Sequence, residues 1–206
     1  MRIAVFGFRT IPPSNGAAGS DKFVYELLPR LAKMGHTITA YNRLYKNNKK
    51  REFQYKGIKI VTLKTIAISG FDTLLHSLKS TIHIIYYNTG DIVHIQNGGN
   101  SIWALFLRIF GKKVFISQDG IDWKREKWKW YGKLYLWLST IITAYLPNKV
   151  IFDNIYIKKI FKIKFSKQQN RFVFIPYGSE IEPFAESDIL ARLKLIKKKY
   201  ILFVGR

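Results

Sequence analysis

The chain opens on Arg2-Ile3-Ala4-Val5-Phe6, which runs into Gly7-Phe8-Arg9-Thr10-Ile11-Pro12-Pro13, and the reading of this stretch decides the fold. A short apolar run that stops at a glycine reads as a buried strand entering a turn, not as a secretory signal. Six further runs of the same kind lie at residues 37–41, 58–62, 91–95, 113–117, 149–152 and 172–175. Their apolar content is nearly continuous instead of alternating, as in strands covered on both faces of a parallel sheet. Between the first two runs, Phe23, Leu27, Leu31 and Met34 recur at helical spacing, and Gly35 ends the helix. Strand, helix and strand in repetition imply a doubly wound α/β domain. We expect about seven mostly parallel strands, right-handed crossovers and helices on both faces. Residues 43–51, RLYKNNKKR, read as a polar charged loop.

Composition bounds the function. In 206 residues, 35 Lys and Arg stand against 13 Asp and Glu, a net charge of +22, with 48% hydrophobic residues. That is enough apolar material for a packed core and excludes an acidic disordered tail. With no cysteine, a disulfide scaffold and a Cys-ligated zinc site are excluded too. The uncharged stretch 134–148 contains Pro147 and is shorter than the about 20 apolar residues of a membrane-spanning helix. A soluble cytoplasmic protein is therefore expected.

The basic excess consists of 25 Lys and 10 Arg beside 28 Ile, which a compositional bias of the genome and a solvated surface would explain. It also suits a nucleic acid or an anionic membrane. Residues 108–171 carry 15 basic and 4 acidic side chains interleaved with Trp123, Trp128, Trp130, Tyr131, Tyr135 and Trp137. Amphipathic rings beside lysines fit the lipid headgroup layer. Single-stranded nucleic acid binds similar mixtures, but no RNP, KH or zinc-finger motif accompanies this one. The stretch 123–133, which combines Trp123, Trp128, Trp130 and Tyr131 with Lys124, Arg125, Lys127, Lys129 and Lys133, is the candidate for peripheral contact with the inner face of a membrane.

The chain divides into a main domain at 1–179, a linker and short basic helix at 180–199, and a last strand at 200–204 that enters a turn at Gly205-Arg206. Residues 180–188 hold four of the 13 acids, as a linker would. Residues 200–206 look like the opening of a second domain.

Four segments could carry chemistry, and all follow predicted strands, where open α/β sheets bind ligands. The loop Gly7 to Ser20 contains Arg9, Asn15 and Gly16. Its glycines allow close backbone approach to a phosphate, although neither a dinucleotide nor a P-loop fingerprint is present and a prolyl turn would read the same way. After the strand holding His94, a packed core histidine, Gln96 and Asn97 are placed to face a ligand. Asp119 and Asp122 could divide into an ionised and a partly protonated carboxyl, as acid/base work requires. Turn chemistry at Asp119-Gly120 and a helix cap at Asp122 are the bland alternatives. Ile175-Pro176-Tyr177-Gly178 reads as a rigid strand end. No set of side chains has metal-ligand spacing.

Taken in order, these pieces resemble the N-terminal half of family-4 glycosyltransferases, nearest a bacterial rhamnosyltransferase-like branch that makes surface polysaccharide. The resemblance rests on the Gly7–Gly16 loop, the helix ending at Gly35-His36, Asp72-Thr73-Leu74-Leu75-His76 and Asp91-Ile92-Val93-His94. It continues through Asp119-Gly120-Ile121-Asp122-Trp123-Lys124-Arg125, Ile175-Pro176-Tyr177-Gly178 and Phe203-Val204-Gly205-Arg206. It covers essentially the whole chain and implies the Rossmann-like first half of a GT-B enzyme, acting on a nucleotide sugar and a glycan or lipid-linked acceptor, with no metal or further cofactor. It also implies that Gly7, Arg9, Asn15, Gly16 and Arg206 lie toward the donor, and Gln96, Asn97, Asp122, Trp123 and Arg125 toward the acceptor. Asp119 falls where many relatives carry an active-site histidine. The donor-binding half that the family requires is absent. We therefore expect this chain, a truncated gene product or one half of a split enzyme whose donor domain a separate chain supplies, not to transfer sugar alone. A basic nucleic-acid- or membrane-binding module without catalysis is the alternative.

Overall fold

The computed structural model describes residues 1–13, 19–45, 51–68, 70–178, 189–196, 199–201 and 203. Eight strands form one sheet in the order β3-β4-β2-β1-β5-β6-β7-β8. They are β1 (Arg2–Phe6), β2 (Thr37–Leu44), β3 (Glu52–Tyr55), β4 (Ile58–Lys64), β5 (Ile92–Gln96), β6 (Lys113–Gln118), β7 (Lys149–Phe152) and β8 (Phe172–Phe174). Every neighbouring pair is parallel except β3 with β4. The chain thus starts in the middle of the sheet, builds outward in one direction, then returns across β1 to build the other side. The mostly parallel doubly wound fold is as expected, with one strand more.

The apolar run of β1 serves two cores. Ile3 and Val5 pack with Val24 and Leu28 of α1 (Gly19–Lys33) on one face. Ala4 and Phe6 pack on the other with Ile84 of α2 (Phe71–Tyr87) and Ala104 and Leu107 of α3 (Ala104–Ile109). Period two in a strand covered on both sides makes both sets of side chains apolar. The second core continues past β6, where Ile116 lies in register with Val150. There Val150, Phe152 and Phe172 meet Ala144 of α4 (Trp130–Tyr145) and Phe161 of α5 (Ile155–Lys164). Helices α2 to α5 therefore cover one face, and α1 covers the other.

Three local expectations need correction. Residues 43–51 are not all loop: Arg43 and Leu44 extend β2, paired with Leu63 and Lys64, because Arg43 finds Asp72 and Leu44 a buried place. The edge strand β3 follows, returned antiparallel through a tight turn in which Lys56 and Gly57 both take positive φ, 47° and 79°. Met34 is 71% exposed, so the inward stripe of α1 is Val24 and Leu28 with Phe23 and Leu31 beside them. In the last segment, α6 spans only Ile189–Arg192, and the described residues Tyr200, Ile201 and Phe203 lie in no strand. The linker at 180–188 falls outside the described residues.

Candidate active site at the carboxyl edge of the sheet

Strands β1, β5, β6, β7 and β8 release their carboxyl ends along one edge. At the end of β1, Gly7 has φ +102°, and a Cβ there would fall on the backbone oxygen of Gln96. Only glycine lets the two strand ends approach so closely. Arg9 follows, its amide donating 2.7 Å to the buried carboxylate of Asp21 in the first turn of α1, and its carbonyl accepting from Arg43 at 2.8 Å. Asn42 then clamps Ile11 through both of its backbone groups, at 2.9 and 2.8 Å. The first loop is therefore anchored from α1 and β2. Asn15, Gly16 and Arg206, expected on the donor side, lie outside the described residues.

At the end of β5, the Gln96 side chain does not reach the open edge of the sheet. It is buried, with its amide 3.2 Å from Nε2 of His94, which in turn lies 2.8 Å from the Ser117 hydroxyl. Alternation along the strand turned this side chain inward, and a buried amide must find partners. Burial lowers the pKa of His94 to about 4, so the ring is neutral and belongs to the core, as its apolar setting implied. Asn97 does reach the edge. Its side chain accepts from the Gly99 amide at 2.8 Å and opens the 3₁₀ turn Gly98–Trp103. Tyr135 of α4 donates to the Gly99 carbonyl at 2.6 Å and fixes that turn from outside.

Asp119 follows β6. It keeps an exposed edge, yet the surrounding atoms desolvate its carboxyl, and this, with Asp122 and then Asp153, pushes the pKa up; its own amide and Arg125 pull the other way. Asp122 does not cap the following helix, which starts at Trp130 after Lys129. It sits in the 3₁₀ turn Asp122–Lys124 and pairs with Arg125 at 3.2 Å. Trp123 lies under two ammonium groups, Lys164 at 4.6 Å and Lys124 at 5.6 Å from its ring centre, a cation–π arrangement.

Sequence reasoning missed Asp153 and undervalued Tyr177. Asp153 is the first residue beyond β7 at the same edge, and its buried Oδ1 has no partner among the described residues. Tyr177 stacks on Phe23 with ring centres 4.6 Å apart, and burial, Asp153 and Asp119 push its pKa up to about 12. Phe23, Ser117, Gln118, Ile151, Asp153, Ile175 and Tyr177 line a shallow cleft beside Asp119. The strand-edge rule that found Asp119 would have found Asp153 had it been applied to β7. Among the described residues no group of three or more His, Asp or Glu is arranged to hold a metal ion.

A parallel sheet that starts at its centre and gathers polar side chains at its carboxyl edge defines an open α/β domain of the Rossmann-like class. The chain belongs to the family described as domain of unknown function DUF1972, which matches residues 1–180. No curated protein matches the sequence. Among solved structures it is similar to a sucrose-phosphate synthase from Thermosynechococcus elongatus, at TM-score 0.72 and 16% identity, over 95% of this chain and 53% of that one. It is similar to Anabaena HepE in complex with UDP and glucose, at TM-score 0.59 and 10% identity, over 94% and 50%. A trehalose-6-phosphate protein from E. coli bound with UDP-2-fluoro glucose matches at TM-score 0.56 and 12% identity, over 94% and 54%. The chain spans about half the length of these proteins.

Proposed function

We propose that this chain is the acceptor-side half of a glycosyltransferase of the family-4 type, in its rhamnosyltransferase-like branch, moving sugar from a nucleotide sugar to a polysaccharide or lipid-linked acceptor. The observation that carries this reading is the raised carboxyl of Asp119, set with Asn97, Arg125, Asp153 and Tyr177 at the carboxyl edge of this half-fold. The UDP and UDP-sugar bound by structural relatives support a nucleotide sugar as donor. In the transfer, an acceptor hydroxyl oxygen bonds to the anomeric carbon while the bond from that carbon to the diphosphate oxygen breaks. Asp119 accepts the hydroxyl proton or positions the hydroxyl, and a raised pKa makes it a better base. Gly7, Arg9, Asn15, Gly16 and Arg206 serve the donor side, and Asn97, Asp122, Trp123 and Arg125 the acceptor side. The donor itself is the only small molecule required, with no metal and no other cofactor. The donor-binding half begins at 200–206 or comes from a separate chain, and the protein works at the inner face of an anionic membrane.

The test joins this chain to a matching donor half and follows nucleotide-sugar consumption. Asp119→Asn should lower turnover at least about tenfold. An unchanged rate removes Asp119 from the mechanism. Absence of turnover, together with salt-sensitive binding of single-stranded DNA, would replace this reading with a nucleic-acid module.

A further inference from the structure

The stretch 123–133 supplies only part of a membrane contact, since Trp123 lies beneath lysines and Trp128 is half-buried, while Trp130 and Tyr131 are exposed. The larger feature is the outer face of the helical layer. Helix α4 buries Leu136, Ser139, Thr143 and Ala144, yet its opposite side is apolar too, with Trp130 77% exposed and Tyr131 and Trp137 also open to solvent. Lys133 is the one charged residue in its 16. A helix apolar all round is not a water-facing helix.

The same face continues onto its neighbours. Arg108 of α3 donates to Asn148, just past α4, at 2.7 Å, and Lys112, just past α3, bonds Asn88, the C-cap of α2, at 2.5 Å, so the ends of the three helices lie side by side. There Ile109 is 68% and Tyr86 78% exposed, with Phe106 beside them on α3. The face runs the length of α4, about 24 Å at the rise of an α-helix. Helix α1, on the other side of the sheet, adds no large exposed apolar residue.

We infer that the outer face of α2, α3 and α4 docks on a bilayer carrying anionic lipid, its aromatic side chains entering the headgroup layer; this rests on the membrane part of the reading above and not on sugar transfer. Charge selects the occupant. Helices α2, α3 and α4 carry three basic residues, Lys79, Arg108 and Lys133, and one acid, Asp72, which is already paired with Arg43 at 2.8 Å. A second copy of a chain with net charge +22 would be repelled from this face. Anionic headgroups over apolar chains complement both its charge and its rings. Among the described residues no helix is long and apolar enough to cross a membrane, so the contact is peripheral.

Co-sedimentation of the 206-residue chain with phosphatidylcholine vesicles, with and without phosphatidylglycerol, tests this. Binding should require the anionic lipid and fall with salt. The triple variant Ile109→Ser, Trp130→Ser, Trp137→Ser should bind at least about tenfold more weakly, with its thermal midpoint retained. The pair Lys129→Glu, Lys133→Glu should lose about as much, since each basic residue near an anionic surface adds appreciably to binding. The pair Lys22→Glu, Lys33→Glu on α1 makes the same change in net charge and should bind as the parent does. Equal loss in the two lysine pairs would overturn the proposal in favour of adsorption by net charge. Full binding by the serine variant, no binding by the parent, or a dimer in solution that the serine variant dissolves would overturn it as well. Each of these results leaves the sugar-transfer reading standing.

Discussion

His94 lies buried in the sheet, and His76 lies fully enclosed in the helical layer with neither ring nitrogen partnered among the described residues. Burial lowers His94 to a pKa of about 4; burial first, then Arg43, lowers His76 to about 3. Both values fall below the ordinary one near 6.5, so between them the unfolded chain binds protons that the folded chain refuses. The stability these two residues permit is complete above about pH 6.5 and declines as pH falls toward the folded values, by up to about 1.4 kcal/mol per pH unit for each histidine. Urea midpoints should therefore drop between about pH 7 and pH 5, and His94→Gln should shallow that slope. A slope identical in parent and variant would show that His94 is as easily protonated folded as unfolded. Asp119 and Asp153 mark what single residues disclosed. A carboxylate after a predicted strand is legible from sequence, but which neighbours desolvate it depends on strands β6 and β7 lying side by side, a pairing of segments more than thirty residues apart in the chain.

At the scale of elements, the turn after β1 fixes the site. Gly7→Ala would place a methyl group on the Gln96 carbonyl oxygen at a backbone φ that side chains rarely adopt, and the backbone of β5 cannot swing away without leaving the sheet. Strain and collision together should destabilise the fold by at least about 2 kcal/mol, lowering the thermal midpoint by about 5 °C or more in a domain of this size. Gly111 also has positive φ, +74°, but open space around it, so Gly111→Ala should cost visibly less. Equal losses would reduce the role of Gly7 to backbone conformation alone. Of the seven strands read from the sequence, all but the short edge strand β8, where Phe174 is exposed, have apolar runs largely covered on both faces, and burial on two sides removes the ambiguity of pattern. β3 was not legible for the opposite reason. It is a half-exposed edge strand whose pattern, Glu-Phe-Gln-Tyr, is short, and its turn uses Lys56-Gly57 where Asn-Gly would have been the recognisable signal. The inward turn of Gln96 was lost in the same way, since alternation within a continuously buried strand does not say which polar residue meets solvent and which meets His94.

For the whole molecule, the ruling quantity is the charge of +22. Ion pairs among the described residues include Glu26 with Arg30, Glu52 with Lys59, Asp91 with Arg2, Asp122 with Arg125 and Asp72 with Arg43. Four of these five involve exposed partners, where a pair contributes at most about 1 kcal/mol, so local attraction cannot offset the repulsion among the remaining cations. Folding gathers those cations, and the repulsion opposes the compact state. Salt shortens the range of that repulsion from about 30 Å at 0.01 M to about 8 Å at 0.15 M. The thermal midpoint of the chain in buffer should therefore rise by a few degrees over this range, while its binding to anionic vesicles falls over the same range. The opposite signs follow from one cause, because the field that strains the folded chain is the field that draws it to an anionic surface. A midpoint that falls with salt would mean that the ion pairs, above all the largely enclosed Arg43 and Asp72 joining β2 to α2, outweigh the net charge in holding the fold.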